Sequence, residues 1–413
     1  MLQKLRSKNS HILGIFVSVM VLQLYSLIRN YTEAPKCGRF VEPIARLKVL
    51  INCDSAVFMK DADSPTRLFN GDSDYQDRPA YSLVNALLLK ILRFFNLPEK
   101  IFPVKGISGE TYDYSSTAYV IFVVLNLIVL MLAIMLGAKV FSDLQIGQKP
   151  TTRGNHYFIY LAIGILTANE LTKTFFWTPH SQMFNLLQPA LAFYLLNNLK
   201  KITIPKRFFK FNCYLLIMTF FYPSAALLAL ILLFAPVKNL IWRIFAITAV
   251  FIPYALYPFF INLFGGEYRN NHVSKFREFI WVWDAIRDGS LVQAVSQNAR
   301  LFLQTFPIIP TVLILIVFVI AGLMNKDFNK VNLKRALISP FLVFVVIYSS
   351  YLYFLGFYSR RLTLGLIILL SLSLLLYVMK KTPVKLARFK SFIAIILGLF
   401  ILLSWFFTNG PLV

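Results

Sequence analysis

Acidic residues are scarce in this chain. Asp and Glu number 18 against 42 Lys and Arg in 413 residues, a formal net charge of +24. Several motifs are absent altogether. There is no Walker loop, no dinucleotide fingerprint, no HExxH, no GxSxG and no CxxC. Nucleotide hydrolysis and zinc proteolysis therefore have nothing to rest on. No helix carries regularly spaced Arg, which removes voltage gating. Long stretches of period 2 are missing, which argues against a membrane β-barrel. The chain has neither an internal repeat nor a low-complexity segment.

Apolar residues are abundant instead. They make up 58% of the chain, 16% is aromatic, and the mean hydropathy is +0.66. A soluble domain cannot hide that much apolar surface, so the fold class expected is all-α and polytopic in a membrane. Apolar runs of about 20 residues, long enough to cross the hydrocarbon layer, recur along the chain. Spans are predicted near 11–28, 118–138, 157–173, 181–198, 211–222, 223–236, 240–263, 299–323, 337–357, 362–379 and 390–408. No small-x-small cleavage site follows the first run, so it reads as an uncleaved helix with a cytoplasmic N-terminus.

The pair 211–222 and 223–236 comes from one apolar run interrupted at "FFYPSA". Pro223 breaks the helical ladder there. Lys206, Arg207 and Lys210 precede the run, and Lys238 and Arg243 follow it. Two short half-helices meeting at Tyr222-Pro223 keep both basic ends on one side. One kinked, tilted helix is the alternative. Broken backbone at membrane depth needs a protein or water lining, so the break should face a cavity.

With the broken pair the expected topology is about eleven helices. The inner segments then hold 22 of the 42 cations but only two of the 18 acids, Asp143 and Asp327. That asymmetry follows the positive-inside rule and accounts for the net charge without nucleic acid. The whole chain, 1–413, reads as one membrane-embedded domain. Residues 29–117 form a first outer loop and 264–298 a second. Within the first, "RPAYSLVNALLLKILRFFNLPEK" is too short and too charged to cross, and reads as an amphipathic helix on the outer face. Cys37 and Cys53 lie in this loop, as a disulfide or as two free thiols. Cys213, in an apolar run, is expected in the core.

The scarce acids are unevenly spread. Asp54, Asp61, Asp63, Asp72, Asp74 and Asp77 all fall between Asn52 and Tyr81. Helical propensity runs from Asp54 to Pro65, which sets Asp54 and Asp61 on one face and turns Asp63 away. A carboxylate held near the membrane surface can serve as a general base toward a hydroxyl. Asp54 is the first candidate, Asp61 and Asp77 the next; the others are expected to solvate the loop. Three more groups converge on the same side. "NELTKTFFWTPHSQ" offers Glu170, His180 and Gln182. "YSRR" offers Arg360 and Arg361, which suit phosphate. Arg78 and Tyr81 in "YQDRPAY", and Arg269, His272 and Lys275 in "YRNNHVSK", complete the set. Plainer roles compete with these: an ion pair of Glu170 with Lys173, local hydrogen bonding of His180, and arginines that anchor at lipid headgroups.

This layout resembles the polyprenol-phosphate-dependent GT-C glycosyltransferases, a superfamily that includes the protein O-mannosyltransferases and the aminoarabinose transferases. The shared pattern is a first helix, a long outer loop opening on an acidic motif, then many spans with short loops. "CDSAVF" keeps Asp54 and Phe58 of that motif, with Ser55 at the place of a second acid. "NELTKTFFWTPHSQ" corresponds to the polar second outer loop, and the "YPSA" pair to the short helices. The resemblance implies sugar transfer from a polyprenyl-phosphate donor to a glycan, lipid or protein acceptor. Transfer would be inverting, on the outer, periplasmic or lumenal face of a bacterial-type plasma membrane. Asp54 would be the base, and Arg78, Arg360 or Arg361 would hold the leaving phosphate. It neither requires nor excludes a divalent cation, Mg2+ or Mn2+. The competing expectations are an O-antigen polymerase or ligase, a lipid or sugar transporter, and a noncatalytic complex subunit.

Overall fold

The computed structural model describes residues 16–24, 38–44, 47–96, 100–105, 111–146, 156–203, 205–237, 240–269, 277–307 and 339–381, with a few isolated positions besides. The chain is predominantly helical. Residues 16–24 form α1. Two antiparallel hairpins follow: β1 (Gly38–Ile44) with β2 (Leu47–Asn52), and β3 (Ile101–Lys105) with β4 (Thr111–Ser115). The all-α expectation holds for the bundle, and the two short hairpins are additions to it. Val49 and Ile51 alternate inward from β2 with a period of two, a signal only a few residues long.

Between the hairpins lie α2 (Cys53–Asp63) and α3 (Pro79–Phe94), both expected. Pro65 opens a separate 3-10 turn, so α2 stops where the sequence says it should. Helix α3 buries Tyr81, Asn85 and Leu89 and exposes Leu87, Ile91 and Phe94. Its apolar surface thus faces two ways, one into the core and one outward. Then come α4 (Ser116–Ile146), α5 (His156–Thr167), α6 (Glu170–Phe175), α7 (Phe184–Asn198) and α8 (Pro205–Phe221). A 3-10 segment, Pro223–Phe234, leads to α9 (Leu240–Leu263), α10 (Ile280–Arg287), α11 (Leu291–Gln304), α12 (Pro340–Phe354) and α13 (Arg360–Lys381).

Among the described residues, two helices are long and apolar enough to cross a membrane, Ser116–Asp143 and Arg360–Lys380. A third crossing forms if Leu240–Ile252 and Ala255–Leu263, bent by 44°, act as one span. Phe158–Thr167, Pro223–Phe234 and Pro340–Phe354 are apolar but shorter, below the about 20 residues a crossing needs. Residues 308–323 and 390–408 of the expected spans fall largely outside the described residues, as do Cys37 and the side chain of Cys53. Cys213 is only half-buried.

The break at Pro223 folds the chain back on itself. Phe208 and Phe209, from the start of α8, line one groove together with Pro236 and Val237, from just beyond the 3-10 segment. A single kinked helix would hold those ends far apart. Tyr222, in extended conformation, makes the corner. Its neighbour Ser224 exchanges two hydrogen bonds with Gln188 of α7: Gln188 Nε2 donates to the Ser224 carbonyl at 2.9 Å, and Ser224 Oγ donates to Gln188 Oε1 at 2.8 Å. The broken backbone is thereby satisfied by protein rather than by water.

A second irregular stretch, Thr167 to Gln182, is buried against α4. Asn126, fully buried on α4, donates through Nδ2 to the carbonyls of Phe175, Phe176 and Thr178 at 2.9 to 3.1 Å. Its Oδ1 accepts from the Tyr81 hydroxyl at 3.3 Å. Gln23 of α1 caps the Thr167 carbonyl at 3.1 Å, and Trp177 Nε1 returns a bond to the Gln23 carbonyl at 2.8 Å. Replacing Asn126 by Leu strands several buried carbonyls at once, each costing about 1–3 kcal/mol. A marked drop in the SDS-denaturation midpoint of the purified protein is expected; an unchanged midpoint would remove Asn126 as the tie.

Candidate active site

The residues that the sequence singled out assemble at the end of the bundle where α13 begins. Asp54 projects from the first turn of α2 with a third of its side chain exposed. His180 Nε2 lies 3.0 Å from Asp54 Oδ2. The backbone N–H of Gln182 donates to His180 Nδ1 at 3.1 Å. That bond leaves Nδ1 unprotonated, so Nε2 carries the hydrogen and donates it to Asp54. Burial pulls the His180 pKa down to about 4, in keeping with an imidazole whose two nitrogens are already satisfied in the neutral form. Burial opposes ionisation of Asp54 as well. Hydrogen bonds from His180 and Tyr75, with the charge of Arg361, outweigh it and hold the carboxyl well below the usual carboxylate range.

Arg361 Nη1 is 3.9 Å from Asp54 Oδ2, and its guanidinium sits over the Phe357 ring. Its Nε is buried with no hydrogen-bond partner. A guanidinium held away from water with a donor left over is suited to an oxyanion. Arg78 is nearby and fully engaged. It pairs with Asp77 at 3.2 Å, donates to Ser181 Oγ at 3.0 Å, and lies between the rings of Tyr75 and Tyr222. Asp77, Arg78, Gln182 and Arg361 line a pocket of about 140 Å3 with Asn185, Tyr222, Ser224, Glu278 and the rings of Phe279, Tyr348, Tyr351 and Phe357. The corner at Tyr222–Ser224 therefore does face a cavity.

No family model, curated protein or solved structure matches the chain. The site's chemistry has to be read from its own residues.

Several expected site residues stand elsewhere. Asp61 is fully buried and braces its own loop, accepting from Ser73 Oγ at 2.5 Å and Arg67 Nε at 3.2 Å. Seven residues along a helix is about 10 Å, so sharing a face with Asp54 does not bring the two carboxylates together. Tyr81 is a core side chain packed on Phe58, Phe122 and Phe184, with its hydroxyl given to Asn126. Arg360 is paired with Glu170 at 2.6 Å, which ties α13 to α6. His272 and Lys275 lie outside the described residues. Arg269 is exposed and bound to Glu267 at 2.7 Å.

Arg269 belongs to a clasp instead. Gln76 Nε2 donates to the carbonyls of Leu68 and Glu267, and Gln76 Oε1 accepts from the Arg269 N–H at 2.7 Å. Glu267 N–H donates to the Phe69 carbonyl at 3.1 Å. A Cβ on Gly266 would run into that same carbonyl oxygen, so the two segments meet only because position 266 has no side chain. The clasp fixes the loop bearing Tyr75, Asp77 and Arg78 against the segment leading to Glu278.

Sequence reasoning missed Tyr75, Asn185, Glu278 and the aromatic wall. Asn185 carried a usable signal, since it lies one turn beyond Gln182, and its amide donates to Gln182 Oε1. Tyr348 and Tyr351 look like ordinary span residues.

Two buried groups titrate with opposite signs. His180 binds its proton less readily folded, at about 4, than unfolded, at about 6.5, so stability falls as pH drops across that window. Burial pushes Asp61 up to about 6 from 3.8, so stability rises as pH drops from 6 toward 4. Asp61→Asn removes the second slope. Its denaturation midpoint is expected to fall more steeply than the wild type's between about pH 6 and pH 4; parallel profiles would contradict the assignment.

Proposed function

We propose that this protein is a membrane glycosyltransferase. It moves a sugar from a polyprenyl-phosphate donor to an acceptor hydroxyl on the outer face, as the resemblance to the GT-C superfamily implies. The observation that carries the reading is the Asp54–Arg361 pair. An ionised carboxylate and a partly unsatisfied guanidinium stand 3.9 Å apart beside a pocket lined with aromatic rings and amides. Rings stack on sugar faces and amides bond sugar hydroxyls. The finer topology goes with the proposal: about eleven crossings, a cytoplasmic N-terminus, and a bacterial-type plasma membrane with the pocket outward.

Charge along the bundle supports that orientation. Helix α13 carries Arg360 and Arg361 at the pocket end. About 30 Å away its Lys380 approaches Lys200. The pocket thus lies opposite a basic end that suits the cytoplasm.

In the reaction, the acceptor oxygen attacks the anomeric carbon as its proton passes to Asp54. The bond from that carbon to the phosphate oxygen breaks. The electron pair leaves with the lipid phosphate, whose charge Arg361 receives, and the anomeric centre inverts. A carboxylate of low basicity suffices, because the hydroxyl becomes acidic as its bond to carbon forms. His180, neutral and donating, orients Asp54 toward the acceptor. Arg78 and Asp77, locked to each other, shape the wall.

The test is turnover by the reconstituted protein with a panel of radiolabelled polyprenyl-phosphate sugars. With the accepted donor, Asp54→Asn is expected to lose about 10^2- to 10^4-fold in rate while donor binding and the folded yield persist. Unchanged turnover sinks Asp54 as base. Donor binding with no product from any donor and acceptor would favour a transporter or a noncatalytic subunit.

A further inference from the structure

A second groove, larger than the polar pocket, lies at the other end of α8. It has a volume of about 1020 Å3, the upper end of the roughly 300–1,000 Å3 typical of ligand pockets. Phe208, Phe209, Leu216, Val237, Trp242 and Phe245 make its walls, and Lys206 stands at its rim. Phe209, Trp242 and Phe245 are exposed, as is Lys206. A loose apolar surface alone would carry no ligand. Two further features give this one a polar end.

The first is a buried acceptor. Asn212 lines the groove, is 5% exposed, and its Oδ1 has no hydrogen-bond partner. The second is concentrated positive charge. Lys206 lines the groove, Arg207 and Lys210 follow it on α8 with exposed side chains, and Arg243 is the neighbour on α9 of the lining residue Trp242. Arg243 Nη1 is spent on the carbonyls of Leu233 and Ala235, at 2.7 and 3.1 Å, while its Nε is buried without a partner. A ligand suited to this place has a long apolar body, a negative charge and a hydroxyl that donates.

We propose that the groove between α8 and α9 is a binding site for an anionic phospholipid with a hydroxylated headgroup. One acyl chain lies along Leu216, Ala249 and Val250. The phosphate meets Lys206, and a headgroup hydroxyl donates to Asn212 Oδ1. Basic pockets between membrane helices recognise acidic headgroups in this way. Phe209 and Trp242 flank the entry as interfacial aromatics do. The site is independent of the chemistry at Asp54, so failure of the transferase reading leaves it standing.

The experiment uses the full-length protein reconstituted with equal phosphatidylglycerol and phosphatidylcholine, then washed in detergent. Lipid retained per protein is read by native mass spectrometry. The wild type is expected to keep phosphatidylglycerol in preference. Ala249→Trp fills the groove and should lose most of it. Lys206→Gln is at an exposed rim and leaves packing intact; it should lower the preference about fivefold, the effect of one basic residue near charged headgroups. Equal retention of both lipids by the wild type, or wild-type retention in both variants, overturns the proposal. So does a larger particle in light scattering with no bound lipid, which would put a protein helix in the groove.

Discussion

The chain buries an irregular turn inside a helical bundle, and everything at the site depends on that turn being satisfied. Between Thr167 and Gln182 the backbone leaves α5, makes α6 and turns again before α7. Its carbonyls cannot reach water there, and an unmet one costs far more than a bond returns. Asn126 meets three of them, Gln23 a fourth, and the Tyr119 hydroxyl a fifth, the Trp177 carbonyl. Asn169 and Thr172 close a capping box that starts α6. With the turn fixed, His180 is presented at one angle only, and with it Asp54.

Charge is arranged with similar economy. Three acids near the pocket have a cation or a donor against them: Asp54 has His180 and Arg361, Asp77 has Arg78, and Glu170 has Arg360. The pairs differ in what they leave over. Arg78 is boxed by two rings and two partners, so it is a wall. Arg361 retains a buried donor, so it can respond to a ligand. Adjacent arginines in one "SRR" sequence thus come to serve opposite ends, one bracing helices and the other facing a cavity.

Much of this could be read in advance, and the rest had physical reasons to be hidden. The scarcity of acids made Asp54, Asp77 and Glu170 conspicuous, and Pro223 marked a corner that does face a pocket. Helical spacing placed Asp54 and Asp61 on one face, but two turns along that face set them about 10 Å apart. Tyr81 beside Arg78 looked like a ligand because sequence adjacency was taken for spatial adjacency. Tyr81 stands one helical turn beyond Arg78, but its ring is taken up by Phe58, Phe122 and Phe184 in the core and its hydroxyl by Asn126. The lone Asn126 in a run of apolar residues was a visible signal, since a polar group there must find a partner. The aromatic wall was invisible, because an aromatic lining a cavity and one facing lipid have the same sequence signature.

The clasp at Gly266 bears on how such a chain can be assembled. Phe69 and Glu267 are joined across nearly two hundred residues of sequence, and Asp54 meets Arg361 across about three hundred. During synthesis the acidic loop emerges first and must wait while the helices between are made. Until α13 arrives, Asp54 lacks its cation. The pocket is therefore a late product of biogenesis, complete only once the bundle around it has closed.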